Sequence, residues 1–246
     1  MQFFKADLHT HTVLSPCGSL EMSPVRIIEK AVKEGIDLLG ITDHNSTLMC
    51  RVMHEVAAGT GITILPGAEI NTREEVHCLA FFRDWETLAE FQQYMETHLI
   101  FVPNDPTRFG YQVVVDKNEQ IINEVNSLLI ASLDESIEKV SQKVHSLGGI
   151  FIPAHIDRPS NSITSQLGFI PPDLKADALE ISKFTTLGEM KKLQPGMDRF
   201  NIIQSSDAHF IDNIGDASCR FHMEHINFDE IQLALAGKDG RKVTLL

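Results

Sequence analysis

Short apolar runs alternate with helical repeats along most of this chain. Residues 3–8 (FFKADL) have the composition of a strand, and residues 23–35 then carry apolar side chains at the spacing of one helix face. Ser23 is placed to cap this helix, Pro24 lies in its first turn, and Gly35 is placed to end it. The pattern therefore predicts a first strand followed by a first helix.

The same alternation continues toward the end of the chain. It predicts, in order, strand 36–42, helix 46–61, strands 62–70 and 75–82, helices 84–99 and 134–149, strands 150–156, 178–182 and 200–210, and helix 228–237. Strand-then-helix units of about 30 residues are typical of a parallel sheet with crossover helices. We therefore predict an α/β fold, and a count of about seven units favours a closed barrel over an open sheet.

Residues 100–135 interrupt this rhythm. Within them, the sequence GYQVVVDKNEQIINEV predicts a β-hairpin that turns at Lys117 and Asn118. The stretch is too short to bury a core of its own, so we interpret it as an insertion within a single domain spanning residues 1–246. Arg108, Phe109 and Tyr111 are its candidates for substrate contact, although packing of the loop explains them equally.

Composition bounds the class of protein. The 246 residues are 43% apolar and carry a net charge of −13, which argues against an extended nucleic-acid-binding surface. An anionic substrate is still compatible, because bound divalent cations reverse the local field of an acidic cleft. The four cysteines form no CxxC pair, no signal-peptide pattern opens the chain, and no apolar run reaches about 18 residues. We expect a cytoplasmic protein with reduced thiols and no membrane span.

Metal-capable side chains recur where the predicted strands end. They are His9, His11, His44, Glu69, His77, His155, Asp207 and His209. In parallel α/β folds the carboxyl ends of the strands form the active face. Burying these groups together without a counter-ion would cost several kcal/mol for each unpaired charge. Imidazole with carboxylate is the ligand set of Zn, Mn or Fe(II), and eight ligands exceed one site, so we expect two or three divalent ions.

The remaining five histidines do not lie at strand ends. His54, His98 and His145 fall within predicted helices, and His222 and His225 lie near the end of the chain. We expect these five to be ordinary surface or partly buried residues.

The ordered motifs DLHTHT, SPCG, GITDHN, PGAEI, VHCLAFF, PAHIDRPS and SSDAH resemble a known series. They are similar to the successive motifs of the PHP (polymerase and histidinol phosphatase) family of metal-dependent phosphoesterases, from residue 7 to about residue 209. The resemblance implies a distorted (β/α)7 barrel, related to the TIM barrel, with a trinuclear metal centre. Residues 100–135 have no counterpart in it.

The resemblance also implies a ligand set for each ion. One ion would be held by His9, His11, Glu69 and Asp207, a second by Glu69, His77 and His155, and a third by His44, His209 and position 17. Family members usually carry Asp or His at that last position, where this chain has Cys17. A thiolate suits Zn or Fe(II) and is a poor ligand for Mn. Cys17 therefore either ligates a soft third ion or simply fills the turn.

The implied reaction is hydrolysis of a phosphomonoester or a short phosphodiester by a metal-activated hydroxide. Histidinol phosphate, a nucleotide and an oligonucleotide are compatible substrates. Glu69 and Asp207 would set the charge and geometry of the cluster, and Arg158 is the first candidate to clamp a phosphate oxygen.

Other polar residues have supporting parts in this interpretation. Arg73 and Lys183 are further candidates for the phosphate, whereas Asp43 and Asp7 are candidates to support the metal ligands.

Two alternatives remain open. The first is an amidohydrolase of similar architecture, which shares the opening H-x-H. Such an enzyme would require a bridging lysine, and no lysine is well placed at a strand end. A non-catalytic PHP-like regulatory module is the second alternative, and a site that had lost its ligands would bind no metal.

Overall fold

The computed structural model describes residues 1–194 and 197–246. Its strands are β1 (Gln2–Asp7), β2 (Leu38–Ile41), β3 (Thr63–Asn71), β4 (His77–Phe81), β5 (Val113–Val115), β6 (Ile121–Glu124), β7 (Ile150–Pro153), β8 (Leu179–Ile181), β9 (Ile202–Gln204), β10 (Cys219–Met223) and β11 (Lys242–Leu245). Its α-helices are α1 (Pro24–Lys33), α2 (Cys50–Ala57), α3 (Trp85–His98), α4 (Pro106–Phe109), α5 (Ile137–Ser146), α6 (Ile163–Leu167), α7 (Leu187–Leu193) and α8 (Phe228–Leu235). Short 3-10 turns lie at Met197–Arg199 and Ile211–Asn213.

Seven strands form one curled sheet in the order β11-β10-β1-β2-β3-β4-β7, and β8 and β9 form a parallel pair beside it. The pairs β1–β2 and β2–β3 are parallel, as the alternation predicts. The expectation of a wholly parallel sheet is wrong for β4, which runs antiparallel to both β3 and β7. Only residues 72–76 separate β3 from β4, and a parallel crossover needs a dozen residues or more.

Backbone hydrogen bonds outside the regular strands join the two sheets. Asp177 N donates to Phe151 O at 2.9 Å, which links the start of β8 to β7. On the other side, His11 N donates to Ala208 O at 3.0 Å, which links the continuation of β9 to that of β1. The strands β1, β2, β3, β4, β7, β8 and β9 thus make a distorted seven-stranded barrel, in agreement with the predicted fold.

Several elements differ from the prediction. The strands β10 and β11 extend the sheet beyond β1 in antiparallel pairing and were not predicted. Helix α2 begins at Cys50 rather than at residue 46, because Thr47 N and Oγ1 donate to Gln92 Oε1 at 2.6 and 2.8 Å. Ser23 does occupy the N-cap position of α1, but its hydroxyl makes no hydrogen bond to the helix.

The barrel interior is apolar at one end and polar at the other. Side chains such as Leu38, Leu65, Phe81 and Ile152 form one buried cluster inside the strands, and a second cluster packs the helices against the outside. On β3, residues two apart face the same side, so Glu69 continues the inward row that begins at Leu65. This row of inward-facing residues on β3 therefore leads from the apolar core to the ionisable residues at the other end of the barrel.

The predicted insertion is a hairpin, with β5 antiparallel to β6 and a turn held by the carboxylate of Asp116. It has no separate core: Val113–Val115 pack in one cluster with Val13 and Leu14. The Asn45 side-chain amide donates to Leu129 O and Ala131 O, both at 2.8 Å. The insertion is therefore fastened to the loops that carry His11 and His44. Among the described residues no helix is long and apolar enough to cross a membrane.

Gly40→Ala should lower the free energy of unfolding by about 1–3 kcal/mol, because an added methyl group overpacks the barrel. A Cβ at Gly40 would lie 2.3 Å from the carbonyl oxygen of Leu8. Chemical unfolding followed by circular dichroism measures the difference. Gly188→Ala is the matched control, since a Cβ there meets nothing within 4 Å and should leave stability unchanged or raise it. Equal stability of the two variants would contradict the tight approach of β2 to β1.

Candidate metal centre

The eight metal-capable residues at the predicted strand ends converge on one edge of the barrel. They are His9, His11, His44, Glu69, His77, His155, Asp207 and His209, and all except His77 and His209 are buried or nearly so. The reversal of β4 explains His77, which begins its strand instead of ending it. In the antiparallel register His77 pairs with Asn71, the last residue of β3, so it lies at the same edge.

Glu69 is the centre of the arrangement. Its Oε1 lies 2.9 Å from His77 Nδ1, 3.1 Å from His155 Nε2 and 3.3 Å from His9 Nε2. Its Oε2 lies 3.0 Å from His44 Nδ1 and 3.4 Å from His11 Nε2. A single buried carboxylate therefore faces five imidazoles with both of its oxygens.

A second carboxylate completes one group of donors. Asp207 Oδ1 lies 3.4 Å from His9 Nε2 and 3.3 Å from His11 Nε2, and the two imidazole nitrogens are 3.2 Å apart. With an oxygen of Glu69, these three atoms make a group of four donors. Four donors at about 2.0–2.1 Å from a shared tetrahedral centre would be roughly 3.3 Å from one another. The spacing of these atoms therefore suits a single divalent ion.

A further group lies on the side of the insertion. Donor atoms of His11, His44 and His209 lie within 4.8 Å of one another. Cys17 is exposed as a whole residue, but its sulfur faces inward, with Sγ 3.2 Å from Nε2 of the buried His44. Burial of the sulfur and the nearby Glu69 raise the pKa of the Cys17 thiol to about 12, so without a cation the sulfur stays protonated.

Buried polar atoms of this region lack hydrogen-bond partners among the described residues; they include His44 Nδ1, His155 Nδ1, Glu180 Oε1 and Asp207 Oδ2. Asp207 Oδ2 is 2.6 Å from Arg158 Nη2, and His44 Nδ1 is 3.0 Å from Glu69 Oε2, so these two atoms face charged groups, whereas His155 Nδ1 and Glu180 Oε1 have neither kind of partner among the described residues. Unpaired buried polar atoms are costly. A cluster of imidazoles and carboxylates with such atoms fits divalent ions of the Zn, Mn or Fe(II) type.

The ionisation of the centre follows from its crowding. Burial opposes the charge on Glu69, but the imidazoles of His77 and His9 outweigh burial and hold the pKa of this carboxyl well below its usual range. Burial lowers the pKa of His11 well below its usual range, and the neighbouring imidazoles add to the effect. An ionised glutamate beside a neutral imidazole is the state that metal binding requires.

Asp43 contacts the candidate ligands His11 and His44 through the hydroxyl of Ser15. Its carboxylate accepts from Thr12 N at 2.7 Å and from Ser15 Oγ at 2.7 Å. Ser15 Oγ in turn lies 2.9 Å from His11 Nδ1 and accepts from His44 N at 3.3 Å. These contacts agree with the predicted support of His44 and its neighbours, with Ser15 as the intermediary that the sequence did not single out.

Asp7 supports the other side of the centre. Its carboxylate accepts from Ser206 N and from Gly215 N, each at 3.0 Å, so it holds the segment that precedes Asp207. Burial raises the pKa of the Asp7 carboxyl to about 6, against the lowering effect of these hydrogen bonds. Its predicted supporting part agrees with these contacts.

Glu180 is the functional candidate that sequence reasoning missed. Its Oε2 lies 3.0 Å from His9 Nδ1 and accepts from His155 N at 3.0 Å. Burial alone would lower the pKa of His9, but Asp207, Glu180 and Glu69 together raise it well above its usual range. A signal for Glu180 was present, because a lone carboxylate inside the apolar run ALEIS lies on the inward face of β8.

Two loop residues of the centre adopt backbone conformations that side chains rarely take. His155 has φ 28° and Asp207 has φ 50°, and Asn45, beside His44, has φ 43°. Such conformations cost free energy and persist where the surroundings determine them. For His155, the determining contact is the hydrogen bond from its backbone nitrogen to Glu180. For Asn45, it is the pair of hydrogen bonds from its side chain to the insertion.

The basic candidates take different positions. Arg158 Nη2 lies 2.6 Å from Asp207 Oδ2, at the partly exposed rim of the centre. Lys183 Nζ pairs with Asp216 at 2.8 Å, and Arg73 lies at the exposed surface beside Glu74. Of these three, the structure brings only Arg158 to the metal-capable residues.

The insertion candidates and the five other histidines lie apart from these contacts. The Arg108 guanidinium lies over the ring of Phe109, and Tyr111 is half exposed. As predicted, the five histidines are exposed or partly buried: they are His54, His98, His145, His222 and His225. His98, for example, pairs with Asp134 at 2.7 Å.

The sequence model of the PHP domain matches residues 7–193, which is more than half of the chain. The chain belongs to the PHP domain family. The predicted family is thereby confirmed. The match ends before Asp207 and His209, so their inclusion in this PHP centre rests on the geometry above.

The relatives of this PHP chain are distant. It is 24% identical over 274 residues to the uncharacterised protein YqxK of Bacillus subtilis (strain 168), covering 99% of this chain and 64% of YqxK. Endonuclease Q of Pyrococcus furiosus superposes with a TM-score of 0.69 at 20% identity, covering 98% of this chain and 58% of that protein. Endonuclease Q in complex with a 27-mer duplex containing an abasic lesion superposes with a TM-score of 0.69 at 19% identity, covering 98% of this chain and 58% of that protein. The PHP chain thus spans less than two thirds of these proteins, and the structural likeness shows a shared fold.

Proposed function

We propose that this chain is a metal-dependent phosphoesterase that hydrolyses a phosphomonoester or a short phosphodiester. One observation carries the proposal: the buried carboxylate of Glu69 has five imidazole nitrogens within 3.4 Å. Such a cluster is costly without cations and well suited to them. Membership of the PHP family supports the same reaction class.

The contacts support a definite division of ligands. His9, His11, Glu69 and Asp207 would hold one ion, and Glu69 would share a second ion with His77 and His155. His44, His209 and Cys17 would hold a third ion, which the 3.2 Å contact between Cys17 and His44 supports. Glu69 would bridge the first two ions, since its Oε1 faces His9 on one side and His77 and His155 on the other.

When bound, the ions would supply Lewis acidity toward phosphate oxygens and toward water. The carboxylates of Glu69 and Asp207 offset the positive charge of the cluster and fix the directions of its donors. Arg158, partly exposed at the rim, would bind a phosphate oxygen with its planar guanidinium. Its pairing with Asp207 keeps the guanidinium beside the site before substrate binds.

The substrate class follows from the relatives and the charge. Endonuclease Q is described with a DNA duplex that carries an abasic lesion at its active site, so an oligonucleotide phosphodiester belongs among the candidates for this chain. The net charge of −13 disfavours the many phosphate contacts of a long duplex. We therefore favour a small phosphorylated compound or a short oligonucleotide.

The test combines metal analysis with a hydrolysis screen. Purified protein is analysed for Zn, Mn and Fe, then assayed with each metal on an aryl phosphate monoester, a bis-aryl phosphate diester, phosphorylated metabolites and oligonucleotides with and without an abasic site. We expect two or three ions per chain and phosphate-ester cleavage that a chelator abolishes. Protein that takes up no metal would indicate a regulatory module, and metal-dependent amide or lactone opening alone would indicate an amidohydrolase.

Cys17→Asp is expected to raise the preference for Mn over Zn by about tenfold at the third ion, because a carboxylate is a harder ligand than a thiolate. Competition between the two metals, followed by elemental analysis, measures the ratio. Cys17→Ser is the matched control, since it keeps the size of the side chain and removes the strong ligand. A ratio that is the same in wild type and in both variants would mean that Cys17 only fills the turn.

A further inference from the structure

We propose that Glu180 is a positioning residue that presents His9 and His155 to the metal ions. The inference rests on the proposed function, because it takes both histidines to be ligands. Glu180 is 1% exposed, on β8, and it touches neither Glu69 nor Asp207 within the salt-bridge and hydrogen-bond contacts of the described residues. It therefore acts through the two histidines.

One oxygen of Glu180 reaches both ligands. Its Oε2 lies 3.0 Å from the His9 Nδ1 and 3.0 Å from the backbone nitrogen of His155. An ionised carboxylate only accepts hydrogen bonds, so the proton of a neutral His9 imidazole must be on Nδ1. The lone pair is then on Nε2, the atom that faces His11, Glu69 and Asp207. Glu180 thereby selects the tautomer of His9 that can bind an ion.

The second contact fixes a strained backbone. His155 has φ 28°, a conformation that is unfavourable for a residue with a side chain. Its N–H is held by Glu180, while its Nε2 lies 3.1 Å from Glu69 Oε1. Glu180 thus joins a ligand that follows β1 to a ligand that follows β7 across the barrel.

The alternative, a merely structural carboxylate, fits the contacts poorly. Glu180 Oε1 is buried and has no hydrogen-bond partner among the described residues. Ala178, two positions earlier and therefore on the same inward face, is a fully buried apolar side chain, so an apolar residue would suit packing alone. A buried carboxylate with one unpaired oxygen is costly, and its two hydrogen bonds both go to proposed ligands.

The test uses two variants that separate charge from hydrogen bonding. Glu180→Gln retains an oxygen that can accept from both histidines and removes only the charge, whereas Glu180→Leu removes both. We expect the affinity for Zn²⁺ and Mn²⁺ to fall about tenfold or less in Glu180→Gln and about 10–100-fold in Glu180→Leu. Metal affinity is measured with a competing chelator. In the Zn²⁺-loaded protein, the Nδ1 proton of His9 should be visible by NMR and exchange slowly with water in wild type and Glu180→Gln, and it should exchange rapidly in Glu180→Leu.

Glu230→Gln is the matched control. Glu230 lies on α8 and is also buried, but its carboxylate pairs with Arg241 at 2.8 Å. This variant should leave metal affinity unchanged. Unchanged metal affinity in both Glu180 variants would overturn the inference. The proposed function would still stand if the wild-type protein binds metal and hydrolyses phosphoesters. If Glu180→Leu does not fold, Glu180→Ala takes its place, since it also removes both hydrogen bonds, and wild-type metal affinity in that variant refutes the positioning role. Wild-type protein that binds no metal would instead refute the proposed function.

Discussion

Glu69→Gln is expected to release the bound ions and to lower phosphoester hydrolysis by about 1,000-fold, since metal ions contribute several kcal/mol to such reactions. Glutamine is neutral and has one acceptor oxygen. In wild type both oxygens of Glu69 face imidazole nitrogens, at 2.9 Å for the nearest on Oε1 and 3.0 Å on Oε2. Elemental analysis and steady-state hydrolysis of an aryl phosphate measure the two effects.

Glu74→Gln provides the control for this variant. Glu74 lies five residues along the same segment, where its carboxylate accepts from Ile137 N at 3.0 Å and contacts none of the proposed ligands. Metal content and rate should be those of wild type. Full metal content in Glu69→Gln would show that this carboxylate does not bridge the ions, and the division of ligands would have to be redrawn.

The positions of the metal-capable residues were readable from the sequence because the barrel has a simple geometry. Strands that alternate with helices end at one face, and a polar residue after an apolar run marks that end. His9, His44, Glu69 and His155 follow this rule. The residues then meet because the strands do, without any further information about side-chain packing.

The direction of β4 was also encoded, but in chain length rather than in the apolar pattern. An apolar run such as VHCLAFF reads the same in either direction. The five residues 72–76 allow a hairpin and exclude a crossover helix. The reversal brings the first residue of β4, His77, to the edge that carries the other metal-capable residues, so the motif locates this candidate ligand although the predicted strand direction is wrong.

Two supporting residues, Ser15 and Glu180, were harder to predict than Asp43 and Asp7, because the contacts that reveal their parts are distant in sequence. Ser15 is recognisable only once Asp43 and His11 are seen on either side of it. Glu180 is 171 positions from His9, with which it shares a hydrogen bond. The lone carboxylate inside the apolar run ALEIS marks Glu180 as unusual, but nothing local identifies its partner, an imidazole near the other end of the sequence.

His9→Ala and His155→Ala should each reduce bound metal, but they should remove different ions. His9 shares its contacts with His11 and Asp207, whereas His155 lies with His77 on Oε1 of Glu69. We therefore expect each variant to lose about one ion per chain. The rate of aryl phosphate hydrolysis should fall by at most about 100-fold. Elemental analysis after dialysis, together with the rate, checks both expectations.

The comparison between the two variants carries more information than either alone. The control is His145→Ala, because His145 pairs with Asp177 at 3.0 Å and contacts no proposed ligand. If the ions occupy separate groups of donors, the double variant should lose about two ions, and each lost ion should be restored independently by raising the metal concentration. Unchanged metal content in both single variants would refute the site, whereas complete loss of metal in each would show that the ions bind as one cooperative cluster around Glu69.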